Sequence, residues 1–399
     1  MLNDTLVCVL AESRAHALTW KKFKKNLLDP LRADLAVCIE VTENYDYANP
    51  FWNHAKYRWT TPRYDDWGVA FDVAQAGLGS KENWRVLLDV KDQWLGGVKG
   101  NGSHPGSAGI LLYFRMFLLR CLQSEEILKR YKRVIVTRSD FMWDVPHPAL
   151  ELLEPDAIWI PNGEGYGGFT DRHAVLSQSN YEDYLGILDP VLTSPSQLAR
   201  EMSGRSNWNL ESFIFHSLSR THSKVKLFPY PAFSVREWGG PTSWSKGKWN
   251  FRLGCFVKYS AELREVRKLS ALLSEGVSWK EIITTNSVDQ QGKWALNASL
   301  ASPSHQRLRY NGLLAGLTFH GDTGTLAVTR SDMCGAWKRF DNVFVRHEKE
   351  KHVLISRKDG KYYCYNGGNI SKIREFGENC LFDLKPPIME MSWEKPSDK

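Results

Sequence analysis

Two apolar runs separated by a short amphipathic stretch set the opening of this chain. Thr5 to Leu10 is apolar and closes on Ala11-Glu12-Ser13-Arg14; Thr19 to Leu28 carries helical periodicity; Asp34 to Val41 returns to an unbroken apolar run through Leu35-Ala36-Val37-Cys38-Ile39. Strands whose residues are apolar at every position, rather than at alternate ones, belong in a sheet covered on both faces. A strand-helix-strand opening of that kind implies an α/β fold, with a Rossmann-like, mainly parallel sheet flanked by helices.

The same grammar continues for some 230 residues. Tyr45 to Trp67 is rich in aromatics, Asn, Pro and Asp without a clear period and is expected as a long loop, and Trp84 to Val90 as a strand. Gly96 to Gly109 holds six glycines and feeds a helix from about Ile110 to Leu128. Arg133 to Thr137 is the next strand and stops at Arg138-Ser139-Asp140; Ala157 to Ile160 is another and runs into Pro161-Asn162-Gly163-Glu164-Gly165-Tyr166-Gly167-Gly168. In open α/β sheets ligands bind beyond the carboxyl ends of the strands, so these loops should converge on one cleft. After about Ser270 short strand-like pieces alternate with turn signals such as Asp359-Gly360, which implies a smaller β-rich domain over 271–399. The 399 residues suit two domains.

Composition excludes several classes. The longest apolar run, Ile110 to Leu119, is about half of the roughly 20 residues a membrane helix needs, and Arg115 interrupts it. The N-terminus carries no basic, long-apolar leader pattern, so a cytoplasmic chain is expected, with the sequons at Asn101, Asn297 and Asn369 idle. Seven cysteines without CxxC pairs are expected to be reduced thiols, Cys8 and Cys38 among them in core strands. The net charge of +7 suits an anionic partner, but Lys21-Lys22-Phe23-Lys24-Lys25 is the densest basic cluster and reads as one solvated helix face, so no nucleic acid is expected.

The segment Arg133 to Phe141, with Asp140 at a strand end, resembles the acidic loop of GT-A glycosyltransferases, and the Gly163 to Ala174 segment resembles the acceptor loop of bacterial surface-glycan (capsule or lipopolysaccharide-type) transferases. The resemblance covers roughly Thr5 to Arg236 and implies a GT-A-like domain over 1–270. It implies transfer of a sugar from a nucleoside-diphosphate donor to a glycan hydroxyl, with Mn2+ or Mg2+ held by Asp140 against the departing diphosphate. The usual acidic pair stands here as Arg-Ser-Asp, which leaves metal use open. The letters Val136 to Asp140 also recur at Val328 to Asp332, with different flanks.

By that resemblance Ser13, Arg14, Arg115, Arg138 and Asp140 bind the donor, and Gly167, Gly168, Asp171 and Arg172 the acceptor. Glu211, in Asn207 to Phe213, is the carboxylate that an inverting reaction needs as base, with Asp171 as the alternative catalytic base. Each residue also admits a plainer role: Asp171 as a helix cap, Glu211 as a first-turn acid, Arg115 as a side chain snorkelling from an apolar helix, His173 as a core histidine. Trp238, Trp244 and Trp249 lie in a Gly-, Ser- and Lys-rich stretch and suit a sugar-stacking platform. The rival classes are a non-catalytic carbohydrate-binding protein and a glycoside hydrolase with paired carboxylates.

Overall fold

Strand β1 (Thr5–Ala11) is buried along its whole length because it lies in the interior of a sheet, parallel to β2 (Asp34–Val41) on one side and β4 (Arg133–Thr137) on the other. The structure, a computed structural model, describes residues 3–90, 94–99, 106–166, 168–203, 208–239, 245–284 and segments of 293–394. Beyond β2 comes β3 (Tyr57–Pro62); β5 (Phe141–Trp143) leaves this sheet, and β6 (Ala157–Asn162), β7 (Ala174–Ser177) and β8 (Lys224–Pro229) complete it in the order β3-β2-β1-β4-β7-β6-β8. Only the two pairings made by β7 are antiparallel. Because β7 reverses direction twice, β6 runs the same way as β1 and β4, and the loops after all three open at one edge.

Helices pack on this sheet with an aromatic and aliphatic core that includes Phe71, Trp84, Leu112 and Phe114. The helix expected near 110–128 spans Ala108–Ser124, and Thr19 to Leu28 belongs to a helical stretch that starts at His16 and passes through a π-helical turn over Lys24–Leu28. A second sheet, β10 (Lys248–Asn250), β11 (Cys255–Val257), β9 (Ala232–Arg236) and β5 in that order, packs Phe233, Val235, Cys255 and Val257 against Leu263 and Val266 of the helix Ser260–Ser274.

Three expectations fail locally. Trp84–Asp89 is a 3-10 turn that buries Trp84 and Leu87, since a short apolar run does not by itself distinguish a strand from a tight helix. The stretch 45–67 contains a helix, Pro50–His54, capped by the Asn49 side chain, and the edge strand β3, whose alternation buries Trp59 and Thr61. Lastly, the glycine-rich loop leads into β7, not into a helix that Asp171 would cap.

Residues Met1–Ser270 and Ala271–Lys399 form two compact units. In the second, the described strands pair antiparallel, as in Leu313–His320 with Thr325–Arg330 and Phe340–Glu348 with Lys351–Ser356, and Val353, Ile355 and Leu381 pack together.

Candidate functional site

Backbone and hydroxyl groups first join the loops after β1 and β4. Ser139 Oγ donates to the carbonyls of Glu12 (3.1 Å) and Arg14 (2.9 Å), and Thr19 Oγ1 donates to the Ser139 carbonyl at 2.6 Å. Ala11 (φ 69°) and Ala15 (φ 56°) both take the left-handed conformation that side chains disfavour, so the turn between β1 and its helix is held under strain.

This joint places Asp140, 1% exposed, under three guanidinium groups. Arg138 donates from Nε to Oδ1 (3.0 Å) and from Nη2 to Oδ2 (2.8 Å), Arg14 Nε donates to Oδ2 at 3.1 Å, and Arg236, at the end of β9, donates to the same oxygen through Nη1. Burial alone would raise the Asp140 pKa, but the charges of Arg138, Arg236 and Arg14 hold it well below the usual carboxylate range. Conversely, burial pulls Arg236 down to about 10 although Asp140 opposes the shift. Glu12 also pairs with Arg14, at 2.9 Å, where both are partly exposed.

The glycine-rich loop supplies the other half. Glu164 (φ 47°) and Tyr166 (φ 40°) are left-handed, and Tyr166 donates its hydroxyl to Glu164 at 2.6 Å. Gly168 lies so close to the start of the helix Leu210–Leu218 that a Cβ there would sit 1.8 Å from the Glu211 carbonyl oxygen. The Phe169 amide donates to that carbonyl (3.1 Å), and Asn209, which caps the helix in a reciprocal box with Ser212, donates Nδ2 to the Tyr166 carbonyl at 3.0 Å. Loop and helix start are thus one piece of structure, and Glu211 lies in it.

Burial and the neighbouring Asp171 charge push the Glu211 carboxyl up to about 7, against the opposing pull of Arg172 and Lys258. Lys258 follows β11; burial and the charges of Arg138, Arg236 and Arg172 push its ammonium down to about 7. Electrostatics therefore join the Asp140 half to the Glu211 half. A carboxylate that titrates near neutrality can take a proton from a hydroxyl, and a group of fixed cations can offset a developing phosphate charge.

The structure brings Arg14, Arg138, Asp140, Asp171 and Glu211 together with Gly168. It gives other work to three residues expected to touch substrate. Ser13 is buried and its hydroxyl is engaged by Tyr45 Oη (2.7 Å) and Asn49 Nδ2 (2.8 Å), so it braces the loop instead of facing a donor. Arg115 is fully buried and donates to the Asp171 carbonyl (2.7 Å), the Leu111 carbonyl (3.1 Å) and Tyr184 Oη (3.3 Å). Arg172 is bound into the interior by Glu262 (2.5 Å), Ser234 Oγ (3.0 Å) and Thr170 Oγ1 (3.2 Å), and lies over the Tyr259 ring. His173 is a core residue against His147 and Thr137, and burial pushes its pKa well below the ordinary value. Gly167 lies outside the described residues.

If Arg115 is framework, Arg115→Ala should lower unfolding free energy by about 3 kcal/mol, from a cavity plus orphaned acceptors, in urea titrations. A donor contact would instead leave stability unchanged and weaken donor binding.

Asp140 does not fit Mn2+ or Mg2+. Both of its oxygens are taken by guanidinium groups, whereas such ions need several oxygen ligands, and among the described residues no three Asp, Glu, His or Cys side chains gather to hold a metal.

Arg236, Lys258, Tyr259 and Glu262 went unread in the sequence. Ala232-Phe233-Ser234-Val235-Arg236 has the same form as Arg133 to Arg138, an apolar strand ending in arginine, and that was the available signal. Trp249 and Arg236 are both cross-strand partners of Phe256, on which Trp238, 71% exposed, also stacks at 5.6 Å; Trp244 lies outside the described residues.

Fold and cluster define an α/β protein with a group of cations at its strand ends and, at a helix start, a carboxyl raised to about 7. No protein-family model matches the chain, and no curated protein does. Among solved structures, the chain is similar to mouse xyloside xylosyltransferase 1 in its apo form, at 13% identity and a TM-score of 0.29, over 56% of this chain and 82% of that one. Among the described residues no helix is long and apolar enough to cross a membrane.

Proposed function

We propose that this chain is a glycosyltransferase that moves a sugar from a nucleoside-diphosphate donor to a hydroxyl of a glycan acceptor, and that the unit Met1–Ser270 carries the reaction. The observation behind this reading is the junction of two opposite chemistries: guanidinium groups of Arg14, Arg138 and Arg236 gathered on Asp140, and, linked to them through the charges of Lys258 and Asp171, Glu211, a carboxyl raised to about 7. The arginines offset the charge that grows on the diphosphate as its bond to the anomeric carbon breaks. Glu211 removes the acceptor proton as the hydroxyl oxygen forms the new bond from the opposite face, which inverts the anomeric centre. The exposed Trp238 and its neighbours Phe256 and Trp249 offer faces for the acceptor's C–H surfaces.

The test is release of nucleoside diphosphate from a panel of uridine and guanosine diphosphate sugars, with and without saccharide acceptors. Release that accelerates with a saccharide is expected. Saccharide binding with no donor consumption would identify a carbohydrate-binding protein, and cleavage of a glycan without any donor a hydrolase.

A further inference from the structure

We propose that the donor's diphosphate is held without a divalent cation, in a cradle made by Arg14, Arg138, Arg236 and Lys258, and that Asp140 serves this cradle as the shared counter-ion that keeps its arginines in place. The inference rests on the reading that this cluster takes a diphosphate, and adds how it does so.

Geometry carries it. The three arginines come from segments distant in the chain, the loop after β1, the end of β4 and the end of β9, and meet on one carboxylate that is 1% exposed. A carboxylate so engaged has its oxygens directed at N–H groups, and three cations within ion-pair distance repel a further dication. The same arrangement favours an anion. Arg236 is buried, and among the described residues its Nε has no hydrogen-bond acceptor; Arg172 Nη2, in the adjoining half, is likewise buried without one there. An orphaned guanidinium N–H is costly to bury, and phosphate oxygens are the acceptors that guanidinium groups pair with best.

Lys258 adds a cation from the end of β11. Its amide donates to the Ser234 carbonyl at 2.9 Å, two residues from Arg236, its charge interacts with those of Arg138, Arg236, Arg172 and Asp140, and the Tyr259 ring lies 4.9 Å from its Nζ with Glu211 within reach of its charge. Glu12 at the rim takes one nitrogen of Arg14 and leaves its Nε on Asp140. An arriving diphosphate therefore meets three guanidinium groups that Asp140 already holds in place, with the Lys258 ammonium near them, so little reorganisation of the arginines opposes the developing charge.

The experiment is calorimetric titration of the full chain with inorganic pyrophosphate in EDTA, repeated with Mn2+. Binding in EDTA that Mn2+ does not strengthen is expected, and Arg14→Ala and Lys258→Met should each weaken it by roughly 10- to 100-fold, the effect of losing one charge-assisted contact. Arg14 is partly exposed, so its variant should fold, and melting curves check both. Binding that appears only with Mn2+, or wild-type affinity in both folded variants, overturns the cradle. The two ideas separate cleanly: metal-free pyrophosphate binding without turnover of any sugar nucleotide keeps the cradle and removes the transferase, while turnover that requires Mn2+ does the reverse.

Discussion

Glu211→Gln should lower turnover by roughly 10² to 10⁴, the usual contribution of a positioned proton transfer, while donor affinity stays near that of the parent. The glutamine keeps the shape of the side chain and removes only its ability to accept a proton, so the helix start and the contacts of its backbone with Phe169 are preserved. The pH profile provides an independent check. Because burial and Asp171 hold the carboxyl at about 7, the base form accumulates as pH rises through that value, and the parent's activity should climb along the same limb. Loss of that limb in the variant identifies the residue; full activity in Glu211→Gln would dismiss it as the base. Stability should move the opposite way. A carboxyl raised from 4.5 to about 7 on folding favours the fold at low pH, and this contribution is lost as pH rises through about 7. The glutamine variant should therefore melt higher than the parent at pH 8, and the difference should shrink by pH 5.

Gly168→Ala should disable the site by a different route. Its new Cβ would stand 1.8 Å from the Glu211 carbonyl oxygen and 2.5 Å from the Ser212 amide nitrogen, both backbone atoms that cannot rotate away. Loop and helix must separate, which breaks the Phe169 to Glu211 hydrogen bond and pulls the Tyr166 carbonyl from Asn209. A cost of about 3 kcal/mol in urea unfolding is expected, together with a fall in turnover at least as large as that of Glu211→Gln. Unaltered stability would mean that loop and helix are not joined as described.

What could be read in the sequence was whatever depended on short stretches of chain. The unbroken apolar runs of β1 and β2 announce strands buried on both faces, and Asp140 and Glu211 stand where a strand end and a helix start put polar groups at an edge. The edge strand β3 escaped because Arg58, Thr60 and Pro62 on its outer face hide the alternation of Trp59 and Thr61. Direction was also hidden: Arg115 and Arg172 are arginines beside a predicted site, and only the fold shows that Tyr184 and Glu262 draw them inward. Arg236 reaches Asp140 across 96 positions, a pairing no local pattern encodes. The repeated letters make the same point, since Val328, Thr329 and Arg330 lie within an antiparallel strand, whereas Arg138 to Asp140 lie beyond a parallel one.

The sharing of Asp140 among three arginines also dictates an order of assembly. Arg14 and Arg138 can meet it once β1 and β4 pair, but Arg236 arrives only when β9, which is synthesised about a hundred residues after β4, has paired with β5. Until then a deeply placed carboxylate lacks one of its counter-charges and the arginines lack a common anchor. A chain still emerging from the ribosome, or one cut short before β9, would hold the sheet without the cradle, so anion binding is the last property this domain acquires and a direct report that it has finished folding.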